Sequence, residues 1–158
     1  MSYLYTYLSL MTPMLSPQES YYGQTARLTE LTNLLKSLLE SGHNDNGFSI
    51  EINFLIPLSV VSYLFRQRAL RQEAIRLLLS YPRREGLWDG VLIGKYSQWV
   101  AEIEEEGLGD EEYVPHDLAT WLVAADHDPI ERTVRLAAFQ KFRDSPEKTV
   151  RREAGISW

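Results

Sequence analysis

The chain has 158 residues, of which 44% are hydrophobic, and it carries a formal net charge of -6 and no cysteine. This length suits one compact core, so we expect a single domain. The missing cysteines exclude disulfides and thiolate-bound zinc, and the negative charge disfavours general nucleic-acid binding. No stretch reaches the roughly 18 apolar residues that span a bilayer, and the apolar segment from Leu4 to Met14 lacks the basic flank of a secretory signal. We therefore expect an intracellular protein, in the cytoplasm or the nucleus.

The first segments read as helices. Residues 3–13 predict a short apolar helix that ends near Pro13, and Ser16 followed by Pro17 is a typical helix start. The helix that begins there is predicted to run to about Ser41, with an apolar line formed by Leu28, Leu31, Leu34, Leu35, Leu38 and Leu39. A polar loop over residues 43–47 follows it.

The middle of the chain predicts three more helices, over residues 52–66, 69–80 and 89–106. Apolar residues recur there at three-and-four spacing, which places one buried stripe on each helix. Pro82 stops the second of these helices, Gly86 permits a sharp turn, and Asp89 can cap the third helix. The chain is expected to double back at this junction.

The last third is predicted to hold a short helix over residues 116–125 and then a β-hairpin. After Pro129 apolar residues alternate with polar ones, although Ile130, Val134 and Ala137 also fit a helix. The expected fold is mainly α: antiparallel helical hairpins packed as a bundle or a short α-solenoid, with a small C-terminal β-hairpin. Within this one domain, residues 1–47 hold the first helices and loop, 48–107 the helical core, and 108–158 the last helix and the hairpin.

The junction Arg-Arg-Glu-Gly-Leu-Trp-Asp at residues 83–89 carries a family resemblance. Together with the preceding Arg-rich helix and the terminal Arg-Glu-x-x-Ile-x-Trp at residues 152–158, it resembles the C-terminal regulatory region of fungal zinc-cluster (binuclear, six-cysteine) transcription factors. The resemblance covers about residues 20–158 and implies a helical regulatory domain that takes part in the control of secondary metabolism.

The chain departs from that family in several places. The zinc cluster needs six thiolates, and none is present, so the chain cannot read DNA in that way. The first half of the family's regulatory domain is also missing, which makes the chain either a fragment or a standalone product; a start at methionine inside an apparent helix favours the second. The family's cysteine near the inter-helix turn falls on Phe65, and its Asp-Pro turn falls on Gln67 and Arg68. Continuous helix at these positions is therefore an alternative to the break between the two predicted helices.

The charges are segregated along the chain. Arginines crowd residues 66–84, and carboxylates crowd residues 102–112. The simpler interpretation is two solvated helix faces. The alternative is a homodimer, or docking on a related full-length regulator, in which the Arg-rich helix of one chain meets the acidic segment of another. The residues expected at that interface are Arg66, Arg71, Arg76, Glu102 and Glu105.

Catalytic candidates are few, and the sequence shows no phosphate-binding loop, metal-ligand spacing or nucleophile elbow, so no cofactor or metal is expected. Under an enzymatic hypothesis, Glu85 beside Trp88 could act as a general acid, since a carboxyl held against an indole has a raised pKa. Arg83 or Arg84 would more simply neutralise it. His127 lies between Asp126 and Asp128, a pattern more typical of a polar turn than of an acid-base site.

The aromatic residues suit either a ligand pocket or ordinary packing. The expected binding residues are Trp88, Trp99, Tyr96 and Tyr63. The sequence leaves two hypotheses open: a regulator without DNA binding that binds a partner protein or a small apolar metabolite, and a cofactor-independent isomerase, cyclase or dehydratase of a fungal natural-product pathway. A solid core with an exposed apolar groove would favour binding, and a deep cavity with converging acid-base groups would favour chemistry.

Overall fold

The computed structural model describes residues 25–41, 48–49, 54–142 and 145–158. Within these ranges the chain forms four α-helices: α1 (Thr25–Glu40), α2 (Leu55–Leu64), α3 (Arg68–Ser80) and α4 (Gly90–Glu104). It also forms a 3-10 turn (His116–Leu118) and six strands: β1 (Phe48–Ser49), β2 (Arg84–Glu85), β3 (Trp88–Asp89), β4 (Trp121–Asp128), β5 (Thr133–Phe142) and β6 (Ser145–Ser157). The predicted helix over 3–13, the helix start at Ser16 and Pro17 and the loop over 43–47 lie outside the described residues.

Helices α2 to α4 lie within a few residues of the segments that the apolar spacing predicts, and α1 is the described part of the first long predicted helix. Their apolar stripes meet in one core, and burying a single large aliphatic side chain there stabilises the fold by about 1.5–3 kcal/mol. The buried members of this core are Leu28, Leu35, Leu39, Leu55, Leu58, Val61, Phe65, Leu70, Ala74, Leu77 and Leu78.

The chain breaks between α2 and α3, as the two predicted helices over residues 52–66 and 69–80 require, and the alternative of continuous helix at this point is wrong. Phe65 and Gln67 have extended backbone conformations. The break lets this segment pair with residues 112–114: the Arg68 amide donates to the Glu112 carbonyl at 3.0 Å, and the Val114 amide donates to the Arg66 carbonyl at 2.9 Å. These long-range hydrogen bonds replace the helical ones, so tertiary pairing overrides the local helix propensity.

The three last strands form an antiparallel sheet with the order β4-β5-β6. The first hairpin pairs Trp121 with Phe139 at one end and Asp128 with Thr133 at the other. The central strand β5 buries Val134, Leu136, Ala137 and Ala138 and thus forms the apolar layer of this half.

The expectation of a mainly helical fold is therefore wrong: the chain is a mixed α/β protein. The predicted helix over 116–125 is a single 3-10 turn, and strand β4 begins at Trp121. A run such as Leu-Val-Ala-Ala fits either structure by periodicity alone, and pairing with the apolar strand β5 decides for the strand. The strands expected after Pro129 are present, but they belong to a three-stranded sheet and not to a small hairpin.

Buried polar contacts hold the sheet against α4. The Gln140 side-chain amide donates to the Ile103 carbonyl at 2.9 Å, and the Glu104 carboxylate accepts from the Thr120 amide at 2.7 Å. At the surface, Lys95 also donates to the Ser157 carbonyl at 2.6 Å. These contacts bring the C-terminal end of the sheet close to the junction that precedes α4.

Candidate functional site

The junction between α3 and α4 is a tight β-turn structure. Helix α3 ends at Ser80 before Pro82, and β2 and β3 pair across a turn in which Gly86 has a φ of 58°, a left-handed conformation that favours glycine. Asp89 then caps α4, because its Oδ1 accepts from the amides of Val91 at 3.0 Å and Leu92 at 3.2 Å. The predicted cap is thus confirmed.

Glu85 is fully buried, and its carboxylate is occupied by structural contacts. It accepts from the Phe54 amide at 3.1 Å and the Leu55 amide at 3.0 Å, at the start of α2. The Arg83 guanidinium lies 2.9 Å away and neutralises it, as the simpler sequence interpretation expects. These contacts from backbone amides and a guanidinium make Glu85 a cap for the buried start of α2.

A cleft of about 430 Å³ lies between the junction and the C-terminal sheet. We call it the junction cleft. It is lined by Arg84, Leu87, Trp88, Asp89, Leu92, His127, Pro129, Arg132 and Trp158. One wall comes from the β2–β3 turn and the start of α4, and the other comes from the β4–β5 turn and the end of β6.

Exposed apolar side chains concentrate at this cleft. Leu87 is 96% exposed and Trp88 is 45% exposed, and both line it. Ile130, which is 88% exposed, lies in the same β4–β5 turn as the lining residues Pro129 and Arg132. These are three of the four large hydrophobic residues that are exposed among the described residues. Such clustering is typical of a binding site and not of scattered surface leucines.

Two arginines and one carboxylate supply the cleft's charge. Arg132 donates to Asp89 Oδ2 at 3.3 Å, and the Arg84 Nε lies 4.0 Å from the same oxygen. The Arg132 guanidinium also lies 6.0 Å from the centre of the Trp158 ring, at the outer limit of a cation-π contact. The Trp158 amide donates to the Arg132 carbonyl at 3.0 Å, which ties the end of β6 to the turn.

The structure separates the proposed catalytic residues. His127 lines the junction cleft, where its ring centre lies 6.1 Å from that of Trp158. Its neighbour Asp126 lines a different cavity and pairs with Arg135 at 2.9 Å. Successive strand residues point to opposite faces, so Asp126 does not orient the imidazole. Glu85, buried under α2, is the third candidate, and the three do not converge.

Of the four expected binding residues, only Trp88 lines the cleft. Tyr63 and Tyr96 pack against each other between α2 and α4, with ring centres 5.2 Å apart. Burial raises the pKa of Tyr96 far above its ordinary value, and a hydrogen bond with Tyr63 acts in the same direction. Trp99 is half-buried on α4. These three side chains serve the packing of the helices.

The opposite charges that were expected to join two chains meet within one chain. Arg71 is fully buried and pairs with Glu104 at 2.8 Å, and Arg66 lies 3.2 Å from the same carboxylate. Glu105 pairs with Arg68 at 3.0 Å. Arg71 is therefore not available on the surface for a second copy. The other two residues remain partly accessible but have near neighbours: Arg76 pairs with Glu73, and Glu102 accepts from Gln98.

The sequence did not indicate Arg84 and Arg132 as residues of a cleft, or Glu104 as the buried partner of Arg71. Glu104 had a usable signal: it lies four residues after Val100, on the apolar stripe of its helix, and a carboxylate on a buried face needs a buried partner. The two cleft arginines had none: only the tertiary approach of the β4–β5 turn to the junction brings them together.

Comparison with known proteins gave no match: no protein-family model, no curated protein and no solved structure is similar to the chain. Among the described residues, no helix is both long and apolar enough to cross a membrane. The same residues contain no group of three or more histidines and carboxylates that could hold a metal ion.

Proposed function

We propose that the chain is a regulatory binding module that takes a small apolar metabolite in the junction cleft. The observation that carries this proposal is the concentration of exposed apolar side chains, Leu87 and Trp88 above all, around one cleft at the junction. Its volume of about 430 Å³ lies in the range of small-molecule sites, roughly 300–1,000 Å³.

The positions and contacts of the three candidate acid-base residues favour a binding function over an enzymatic one. Glu85 accepts backbone amides at the start of α2, and Asp126 pairs with Arg135 away from the cleft. Among the contacts of the described residues, no hydrogen bond joins His127 to a carboxylate that would orient it as a general base. The core beneath the junction is packed with leucines.

The biological setting of the proposal comes from the resemblance to fungal zinc-cluster regulators. The residues that carry it, Arg83 to Asp89, build one wall of the cleft and cap α2 and α4. We therefore place the chain in the control of secondary metabolism, in the cytoplasm or nucleus, without direct DNA binding. Self-association, which the segregated charges suggested, and docking on a full-length relative both remain predictions.

Ligand-observed NMR with neutral aromatic fragments tests the binding function directly. We expect indole and 2-naphthol to bind the wild-type chain and to lose most of their binding to Trp88→Ala. The matched control is Leu34→Ala, which removes an exposed leucine on α1 that does not line the cleft. Binding that Trp88→Ala leaves intact, or that Leu34→Ala removes equally, would contradict the proposed site.

The regulatory role is tested in the source organism. We expect a strain with Trp88→Ala at the chromosomal locus to lose transcripts of neighbouring biosynthetic genes, as a strain lacking the gene should. Level transcripts together with an accumulated pathway intermediate in the deletion strain would instead support the enzymatic alternative.

A further inference from the structure

The charge balance of the junction cleft differs from that of the whole chain. The chain carries a net charge of -6, yet the cleft holds two guanidiniums, on Arg84 and Arg132, against the single carboxylate of Asp89. Both arginine side chains are more than half exposed, whereas Asp89 is 11% exposed. A ligand that enters the cleft therefore meets an excess of positive charge beside its apolar wall.

Asp89 engages only a few of the guanidinium N–H donors of Arg84 and Arg132. Its Oδ1 accepts from two amides of α4, and its Oδ2 accepts one bond of 3.3 Å from Arg132, while Arg84 lies 4.0 Å away. A guanidinium carries five N–H donors in a planar fork that matches a carboxylate. Within the described part of the chain, the contacts with Asp89 occupy few of the N–H donors of Arg84 and Arg132. Most of these N–H groups are therefore available to a ligand.

The backbone of Arg132 points to the same conclusion. Its φ of 51° lies in the left-handed region, where a residue other than glycine costs about 1–2 kcal/mol. Strain of this kind gathers at ligand-binding sites. Here it sets a cation at the mouth of the cleft, between Asp89 and the Trp158 ring.

We propose that the ligand of the junction cleft is an aromatic or similarly flat apolar carboxylate, whose ring packs against Trp88 and Trp158 and whose carboxylate pairs with Arg132, assisted by Arg84. This inference rests on the proposed binding function and adds the charge of the ligand. The cleft's volume of about 430 Å³ lies within the range of small-molecule sites, roughly 300–1,000 Å³, which favours a small molecule as its occupant.

The experiment compares 2-naphthoate with 2-naphthamide, which has the same ring but no charge, by isothermal titration at low and moderate salt. The carboxylate should bind the wild-type chain at least about tenfold more tightly, as a charged hydrogen bond in place of a neutral one implies. Arg132→Gln should abolish this preference and leave the amide unchanged. Arg135→Gln is the control, because Arg135 is exposed on the sheet and does not line the cleft.

The outcomes separate the two proposals. Equal binding of the two probes, still lost in Trp88→Ala, would overturn the charge inference and keep the apolar site. A preference for the carboxylate that survives Arg132→Gln and is removed by Arg135→Gln would place the anion elsewhere and overturn the inference. If the folded chain binds neither naphthalene probe nor the neutral fragments, both proposals are wrong.

Discussion

The Glu104 carboxylate lies 2.8 Å from the Arg71 guanidinium, and their side chains are 1% and 0% exposed. Arg66 approaches the same carboxylate at 3.2 Å, and Thr120 donates to it from its amide and its hydroxyl. One acidic residue therefore neutralises cations from the α2–α3 connection and from α3 and also anchors the segment before β4. The helical half and the sheet half share this buried group.

Replacing Glu104 should accordingly be costly. Glu104→Gln leaves Arg71 buried without its anion, and breaking a buried ion pair from one side typically costs about 3–5 kcal/mol. We expect a loss of that size in the free energy of unfolding, measured by urea denaturation. Glu102→Gln is the matched control on the same helix, because Glu102 is exposed and bonded to Gln98; it should change stability by less than about 0.5 kcal/mol. If Glu104→Gln lowers the free energy of unfolding by less than about 1 kcal/mol, the buried arginines do not depend on Glu104 for neutralisation.

Gly90 should tolerate no side chain. A Cβ added there would lie 2.8 Å from Leu55 Cδ2 and 3.2 Å from the Arg83 carbonyl oxygen, so Gly90→Ala forces the junction away from the start of α2. We expect a destabilisation of about 1–3 kcal/mol in thermal and urea unfolding. Gly155→Ala, in β6, meets no atom within 4 Å and should be close to neutral. Equal stability of the two variants would contradict the close packing described here.

The sequence predicts those parts of the molecule that depend on neighbouring residues along the chain. It does not predict those that depend on contacts between distant segments. The helices α1 to α4 follow from apolar spacing, and the Asp89 cap follows from its position before α4, since both depend on neighbours along the chain. Strand β4 exists because β5 pairs with it, and the break at Phe65 exists because residues 112–114 pair with the segment that follows it. The same holds for the site: Trp88 was predicted, whereas Arg132 becomes a cleft residue only through the packing of the sheet.

The exposed ion-pair network between α1 and α3 should make stability depend on pH in the acid range. A hydrogen bond from Arg76, together with Lys36, lowers the pKa of Glu73 from 4.5 to about 2. Because the folded pKa is the lower one, the stabilisation is fully present above pH 4.5 and is lost as the pH falls towards 2. Glu73→Gln should therefore be less stable than the wild type at pH 7, and the difference should shrink between pH 4.5 and 2.

The measurement is urea unfolding of both proteins at several pH values, with an NMR titration of the Glu73 carboxyl. Glu30→Gln on α1 serves as the control carboxylate. Added salt should reduce the Glu73 effect, since the pair is partly exposed and screened. A stability difference that stays constant from pH 7 to 2 would disprove the assignment of the effect to this carboxylate.

The left-handed backbone of Arg132 predicts an unusual order of stabilities. At a φ of 51° alanine keeps the backbone strain of arginine, whereas glycine releases it. Arg132→Gly should therefore be more stable than Arg132→Ala by about 1 kcal/mol, the reverse of the order found at ordinary positions. Both variants lose the contact with Asp89, which is partly exposed and contributes little to stability.

Both variants should also lose the preference for 2-naphthoate. Arg132→Gly would thus relieve the backbone strain and at the same time weaken binding of the carboxylate. If Arg132→Ala proves the more stable of the two in urea unfolding, the turn is not strained, and the case for Arg132 as the ligand's cation then depends on charge and exposure alone.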